Sequence, residues 1–172
     1  MKIIFRQIIF YFKTRKLSNV FIFLLDNASE SLKKDIIKQE TVEQNIIWHP
    51  ELTCLNHIIA VTNRLHNKFH NINLTLAGLF HDLGKFDTTK WDEERQSWTA
   101  YGHESFSIDY IEKHKDWIKQ MGGNIKKIKY IVANHMRIKF IDEMRRKKRR
   151  KFEAEKWFHL VVKFKKCDKG GF

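Results

Sequence analysis

The chain has 172 residues, and its 42% hydrophobic and 13% aromatic content excludes an intrinsically disordered protein and favours one domain with a full-sized core. Lys and Arg number 33 against 20 Asp and Glu. The net charge of +13 favours polyanionic partners, with a merely lysine-rich surface as the alternative. One proline and seven glycines leave few helix breakers, which indicates an all-α fold.

The N-terminal segment is apolar, and its pattern predicts two short helices over residues 2–13 and 17–26. Four basic residues interrupt this segment: Arg6, Lys13, Arg15 and Lys16. No apolar run therefore reaches the roughly 18 residues of a spanning helix, and we expect neither an integral membrane span nor a signal peptide. Two cysteines without a CxxC spacing, Cys54 and Cys167, fit a reducing compartment, and we predict a cytoplasmic protein.

In the rest of the chain, helical periodicity predicts helices over residues 29–40, 51–69, 74–83, 103–120, from 124 onward, and 152–167. The first of these has two candidate N-caps, Ser29 and Asn27. Gly84 is predicted as the C-terminal cap of the third. Residues 86–102 are polar and irregular, which is typical of a long functional loop that can hold a small hairpin.

Six side chains able to bind a metal ion lie in or beside different predicted helices: His57, His81, Asp82, His103, His135 and Asp168. Helical bundles build metal sites from side chains that converge in this way. A mixed imidazole and carboxylate set suits Mn, Fe, Ni, Co, Zn or Mg and needs no thiolate. A lone histidine on a helix is more often a surface or core residue, and we interpret four others so: His66, His70, His114 and His159.

The adjacent His81 and Asp82 lie in an apolar stretch, LAGLFHDLGK, residues 76–85. Burying an imidazole beside a carboxylate is unfavourable unless a partner compensates both groups. Neighbouring helical residues point about 100° apart, so the two side chains can flank one ion. A capping or salt-bridging role for Asp82 is the alternative.

The order of these residues resembles the H…HD…D signature of the HD superfamily of metal-dependent phosphohydrolases, with His57, His81-Asp82 and Asp168 as its members. The chain is similar in more detail to the HD domains of bacterial tRNA nucleotidyltransferases, although Leu52 stands where their motif usually has Gly. The segments that carry this likeness are HPELTCLNHIIAV (49–61), HDLGK (81–85), DTT (87–89), GHE (102–104), NHM (134–136) and CDKGG (167–171).

The resemblance implies an HD-domain helical bundle over residues 46–172, preceded by a helical extension over residues 1–45. This extension lacks the Gly-Ser and paired-Asp pattern of a nucleotidyltransferase domain, so we do not expect the chain to add nucleotides to tRNA.

The resemblance also implies that one divalent ion is held by His57, His81, Asp82 and Asp168. His103 and His135 match the positions where some HD enzymes bind a second ion, which Asp82 would bridge to the first. Such ions activate water near neutral pH and clamp the oxygens of a phosphoryl group. Contact of His103 and His135 with the substrate phosphate, or proton donation by them, is the alternative.

Three basic residues are candidates for phosphate binding. Lys85 lies one helical turn beyond His81, and we predict that it acts with Asp82 in catalysis by neutralising charge on a phosphate oxygen. A solvated lysine at a helix C-terminus is the alternative. Arg137 and Lys139 are predicted to extend the substrate contact.

Two further features fit nucleic acid. The run MRRKKRRK, residues 144–151, favours contact with a phosphate backbone or, alternatively, is a solvated helix face. Three aromatic residues before His103 would stack on a base or form a packing cluster over the site: Trp91, Trp98 and Tyr101.

We therefore expect a metal-dependent phosphodiesterase or phosphatase that acts on a nucleotide or RNA-end phosphate through metal-activated water. A dNTP or nucleotide phosphohydrolase is the second enzymatic hypothesis. A non-catalytic nucleic-acid-binding module that retains the HD fold is the alternative outside enzymes.

Overall fold

The computed structural model describes residues 20–45, 47 and 49–169. Its α-helices are α1 (Val20–Asp26), α2 (Glu30–Ile37), α3 (Cys54–Phe69), α4 (Ile72–Phe80), α5 (Lys85–Thr88), α6 (His103–Lys113), α7 (Lys115–Gln120), α8 (Ile125–Asn134), α9 (Arg146–Glu153) and α10 (Phe158–Lys165). The remaining regular elements of these residues are two 3₁₀ helices, Lys38–Thr41 and Arg137–Glu143, and one antiparallel pair, β1 (Lys90–Asp92) and β2 (Ser97–Thr99). The predicted all-α fold is confirmed. The predicted helix 2–13 lies outside the described residues.

Polar side chains fix where several helices begin. The Ser29 hydroxyl accepts a hydrogen bond from the N–H of Leu32 at 3.3 Å, which confirms Ser29 as the N-cap of α2. The Thr53 hydroxyl likewise accepts from the N–H of Asn56 at 3.3 Å, so α3 begins directly after Thr53 and later than predicted. Asn124 caps α8, as the sequence indicates.

Two predicted helices are not continuous. The helix predicted over residues 103–120 is divided into α6 and α7 at His114, whose φ and ψ of −109° and 20° are not helical. The His114 ring is buried there, with Nε2 2.7 Å from Asp35 Oδ2. The prediction of one helix over residues 152–167 is also wrong at its start. The basic run itself forms α9, which ends at Glu153, and α10 begins only at Phe158.

Gly84 does not have its predicted role. Helix α4 ends at Phe80, and Gly84 has right-handed φ and ψ of −69° and −10° just before α5. A Cβ on Gly84 would collide with the backbone carbonyl of His103 and the backbone nitrogen of Ser107. The position therefore needs glycine because α6 packs directly against the turn between α4 and α5. This packing brings His103 toward the His81-Asp82 pair.

Helices α3 and α4 form the centre of the main hydrophobic core, to which they contribute the fully buried Leu55, Ile58, Ile59, Leu76 and Leu79. Helices α1 and α2 pack on the same core through Phe21, Leu24, Leu32 and Ile36. The boundary between residues 45 and 46 stays a prediction. Within the described ranges, no helix has the length and apolar character needed to cross a membrane.

A small hairpin lies within residues 86–102, in agreement with the loop predicted there. Trp91 and Trp98 are opposite each other in the register of β1 and β2, and their ring centroids are 5.5 Å apart in an edge-to-face arrangement. Such cross-strand aromatic pairs stabilise short hairpins. The hairpin leads directly into His103 at the start of α6.

Leu52 offers a direct test of backbone strain. Its φ of 73° is left-handed, and its side chain is exposed, so the residue keeps the conformation that suits glycine at this place in the resembled motif. We expect Leu52→Gly to raise the free energy of unfolding by roughly 0.5–1 kcal/mol, since relief of strain outweighs the added entropy of the unfolded chain. Urea unfolding measures this gain. Leu52→Ala is the matched control and should not show it, because alanine retains the strained φ.

Candidate metal centre

The structure brings all six predicted ligands together from separate elements. His57 lies in α3, His81 and Asp82 follow α4, His103 opens α6, His135 follows α8, and Asp168 lies beyond α10. All six side chains are buried. Their nitrogen and oxygen atoms form two groups, each compact enough to hold a metal ion: His57, His81 and Asp168 in the first, and Asp82, His103 and His135 in the second.

In the first group, two histidines point Nε2 at one carboxylate. His57 Nε2 lies 3.1 Å, and His81 Nε2 3.9 Å, from Asp168 Oδ1. Asp82 joins this group through Oδ2, which lies 3.2 Å from His81 Nε2 and 3.7 Å from His57 Nε2. These four side chains present two imidazole nitrogens and two carboxylates around one point.

In the second group, His103 and His135 approach the other oxygen of Asp82. Asp82 Oδ1 lies 3.1 Å from His103 Nε2 and 3.7 Å from His135 Nε2, and the two Nε2 atoms are 3.1 Å apart. One carboxylate therefore touches both groups, with one oxygen toward each.

Backbone carbonyls set the orientation of three of these rings. The Nδ1 atoms of His81, His103 and His135 lie 2.8 Å, 2.7 Å and 2.6 Å from the carbonyl oxygens of Gly78, Ala100 and Val132, respectively. Each Nδ1–H donates to a residue three positions earlier in the chain. This arrangement places the proton on Nδ1 and leaves the lone pair of Nε2 free to bind a metal ion.

An unpaired nitrogen indicates that these residues fit a divalent cation. His81 Nε2 is buried and makes no hydrogen bond within the described part of the chain. Burial lowers the pKa of His81 to about 4, so its imidazole is neutral at physiological pH. A neutral imidazole beside two carboxylates is a donor set for borderline metals such as Mn, Fe, Co, Ni and Zn.

The two carboxylates are ionised despite their burial. Burial by itself raises the pKa of Asp82, but His81, which is protonated at the acid pH where Asp82 titrates, and the Lys85 ammonium outweigh this effect and hold the pKa well below its usual range. Burial likewise raises the pKa of Asp168, and Lys139 with His57 outweighs that effect. Both residues therefore offer charged oxygens to a cation.

The structure places Lys85 inside the centre. Its side chain is buried, with Nζ 2.8 Å from Asp82 Oδ2 and 2.7 Å from Gln44 Oε1. Burial lowers the pKa of Lys85, but the Asp82 charge outweighs this and raises it, so the amine stays charged. The solvated lysine that the sequence also allowed is excluded by this burial.

Lys139 and Arg137 are placed differently from each other. Lys139 Nζ lies 2.9 Å from Asp168 Oδ2, at the edge of the centre. The Arg137 guanidinium instead lies 3.9 Å from the ring centroid of Phe152 and 3.4 Å from Glu155. Arg137 is not among the residues that line the cleft, so the structure joins Lys139 to the predicted site and leaves Arg137 outside it.

An open cleft of about 700 Å³ exposes the centre to solvent. Asp82, His103 and Asp168 form part of its wall, together with Lys85 and Lys139. The hairpin and the 3₁₀ helix Arg137–Glu143 supply residues to its rim. This volume lies within the roughly 300–1,000 Å³ of sites for small organic ligands.

Glu51 is a residue whose role was missed by the sequence interpretation. Its carboxylate is buried and hydrogen-bonded to His57 Nδ1, on the side of the ring opposite Asp168. Burial lowers the pKa of His57, but the bonds to Asp168 and Glu51 outweigh this and raise it. A carboxylate on the outer nitrogen of a histidine orients the ring and makes it a stronger ligand. The HPE segment contained this signal, six residues before His57, but spacing alone did not show the contact.

We expect Glu51→Gln to weaken metal binding about 10–100-fold while the fold is retained, because the amide keeps the shape of the side chain but not its charge. Competition with a chelating dye measures the affinity for Mn²⁺. The matched control is Glu40→Gln, which changes a half-buried carboxylate bonded to Thr53 and not to a histidine. Equal loss of affinity in both variants would contradict a specific role for Glu51.

The comparisons with known proteins agree with this arrangement. A family model described as HD domain matches residues 54–162, more than half of the chain. The matched range includes His57, His81, Asp82, His103 and His135. Neither the search of curated proteins nor that of solved structures gave a match. The closer likeness to tRNA nucleotidyltransferases stays a prediction.

Proposed function

This chain belongs to the HD domain family, whose members are mostly metal-dependent phosphohydrolases, and from this premise we propose that it hydrolyses a phosphate ester of a nucleotide or of an RNA end. The domain that does so is proposed to span residues 46–172, with residues 1–45 as a helical extension. Two free cysteines, Cys54 and Cys167, support a reducing, cytoplasmic location.

The position of Asp82 is the observation that carries this proposal. Its two oxygens face two separate groups of imidazole nitrogens. Oδ2 lies 3.2 Å from His81 Nε2, and Oδ1 lies 3.1 Å from His103 Nε2 and 3.7 Å from His135 Nε2. The Lys85 ammonium alone would satisfy Asp82 as a salt bridge, whereas this carboxylate is in addition shared between two donor sets. We therefore propose one or two divalent ions, held by His57, His81, Asp82 and Asp168 and by Asp82, His103 and His135.

Divalent ions bound there would supply Lewis acidity and a water molecule acidic enough to react near neutral pH. The chain itself supplies the remaining functions. Asp82 holds negative charge at the centre, and the Lys85 ammonium beside it can balance charge on a phosphate oxygen. Lys139 also lines the cleft, with its ammonium beside Asp168, and is placed to bind a second phosphate oxygen.

The choice of a nucleotide or RNA end has two supports. The net charge of +13 favours a polyanionic substrate. The segments around His57 and His81 resemble HD domains of enzymes that act on tRNA. A dNTP or nucleotide phosphohydrolase uses the same centre and remains the second enzymatic candidate.

The basic helix favours a further candidate, a nucleic-acid-binding module. Helix α9 carries six Lys and Arg residues in the run 146–151, and only Arg149 among them forms a salt bridge within the described residues, to Asp142 and Glu153. Free surface cations of this density suit a phosphate backbone.

Turnover by the metal-stripped protein, before and after addition of Mn²⁺, Ni²⁺, Co²⁺ or Mg²⁺, tests the proposal. The substrates are bis-p-nitrophenyl phosphate and a panel of nucleoside cyclic phosphates, monophosphates and triphosphates. Metal-dependent release of product would support the hydrolase. Salt-dependent RNA binding without turnover of any substrate would contradict it and favour the binding module.

A further inference from the structure

Two exposed aromatic rings line the same cleft as the metal centre. Tyr101 is 62% exposed and Phe140 is 52% exposed, although both belong to the wall of a concave site. Single exposed rings are common on protein surfaces, but two of them in the wall of one concave site offer apolar area that a bound ligand can cover.

Each ring is close in sequence to a group of the centre. Tyr101 lies two residues before His103, between β2 and α6. Phe140 directly follows Lys139, whose ammonium contacts Asp168. A ligand whose phosphate lies beside Lys85 and Lys139 therefore has these two rings within the same cleft.

The local backbone presents Phe140 outward. It is the residue of the 3₁₀ helix Arg137–Glu143 whose φ and ψ of −100° and 20° are not helical. Its neighbours Ile138 and Ile141 are buried in a small hydrophobic cluster, so this kinked turn holds the backbone while Phe140 faces the cleft.

Tyr101 does not pack with the tryptophans of the hairpin. Trp91 and Trp98 pair with each other, whereas Tyr101, within the described part of the chain, has the Arg95 guanidinium 5.4 Å from its ring centroid and no ring contact with either tryptophan. Arg95 also lines the cleft. A ring with a cation on it remains able to stack on a planar group.

An amide group adds a donor for a polar ligand. Gln44 Oε1 is held by Lys85 Nζ, and this contact fixes the orientation of the amide. Gln44 Nε2 is buried and finds no hydrogen-bond partner among the described residues. A ligand that occupies the cleft can accept a hydrogen bond from it.

We infer that Tyr101 and Phe140 form a binding site for the nucleobase of the substrate, next to the phosphate site. The inference rests on the proposed function and deepens it, because it assigns the planar part of the substrate to named side chains. Phosphate esters without a planar group would lack this contact. The exposed rings thus select nucleoside phosphates over sugar phosphates.

Equilibrium binding to the Mn²⁺-loaded protein tests this site without the need for turnover. The probes, measured by calorimetry, are inorganic phosphate and the forms of adenosine 5′-monophosphate and ribose 5-phosphate in which CH₂ replaces the ester oxygen, so that neither can be hydrolysed. Base-aromatic stacking contributes about 1–3 kcal/mol, so Tyr101→Ala and Phe140→Ala should each weaken binding of the nucleotide about tenfold. The affinity for the ribose 5-phosphate analogue should not change. Binding of the nucleotide should also lower its ultraviolet absorbance, as stacking does.

Two control variants separate stacking from structural damage. Tyr101→Phe keeps the ring and should keep the nucleotide affinity. Phe23→Ala removes another exposed aromatic ring, on α1 and outside the cleft, and should have no effect.

The possible failures are distinct. If phosphate binds but the nucleotide analogue binds no better than the ribose 5-phosphate analogue, the base site is overturned while the proposed hydrolase stands. If the alanine variants weaken all three probes equally, the rings support the cleft rather than a base, which also overturns the inference. If no probe binds, the proposed function fails together with the base site.

Discussion

Asp82→Asn should reduce metal-dependent turnover about 1,000-fold or more. The substitution keeps the size of the side chain but removes the charge that both groups of imidazoles share. Metal-ion catalysis supplies several kcal/mol of transition-state stabilisation, and each 1.36 kcal/mol corresponds to a factor of ten in rate. The measurement is kcat/KM on the best substrate of the panel, with circular dichroism to verify that the variant is folded.

The chain contains a matched control for this substitution. Asp35 is also a buried carboxylate bonded to a histidine and a lysine, with Oδ2 2.7 Å from both His114 Nε2 and Lys113 Nζ. It lies outside the cleft. Asp35→Asn should therefore destabilise the fold but leave kcat/KM of the folded protein unchanged. A similar loss of turnover in both variants would show that Asp82 acts through stability and not through the metal centre.

The second large effect is thermal stabilisation by metal. Mn²⁺ at 100 times its dissociation constant should add about 2.7 kcal/mol to the free energy of unfolding. For a chain of this size each kcal/mol shifts Tm by about 2–4 °C, so Tm should rise by roughly 5–10 °C. The physical reason is that a cation pairs with the two buried carboxylates and with the unbonded Nε2 of His81. Removal of metal with a chelator should reverse the shift.

Two variants show whether the Mn²⁺ that raises Tm is bound at the six side chains of the centre. The increase in Tm should be retained in Asp35→Asn and largely lost in Asp82→Asn. An equal shift in both would place the responsible Mn²⁺ outside the six side chains. Differential scanning fluorimetry with and without Mn²⁺ is sufficient for this comparison.

The sequence was most informative about which side chains meet. The placement of His57, His81-Asp82 and Asp168 in or beside different predicted helices, together with their resemblance to the HD signature, predicted convergence, and the structure places all of them in contact range. This worked because the residues stand out chemically: ionisable groups within apolar helical segments require partners. His103 and His135 were candidates because they can bind a metal and lie at the ends of helices, and only the resemblance to HD enzymes assigned them to a second ion.

The environment of these residues was less predictable. Whether Lys85 is solvated or buried depends on Asp82 and Gln44, and Gln44 lies 41 positions away in the sequence. Gly84 was interpreted from its local position after a helix, whereas its role comes from the approach of α6. Periodicity describes one helix face, and it contains no information about which other element packs on that face.

Breaks in the helices were missed for a related reason. The segment 103–120 has enough apolar periodicity for one helix, but His114 interrupts it and bonds to Asp35 in α2. The basic run was interpreted by its charge, and the structure shows it as α9, held by the burial of Phe152 and by the salt bridge between Arg149 and Glu153. Both outcomes depend on contacts between elements.

The most direct test of the proposed metal centre is a crystal structure of the protein with Mn²⁺, with data collected at the manganese absorption edge. This metal centre predicts an anomalous peak among His57, His81, Asp82 and Asp168, and any second peak on the other oxygen of Asp82, beside His103 and His135. Manganese bound only at surface carboxylates, with these six side chains still paired to one another, would contradict it.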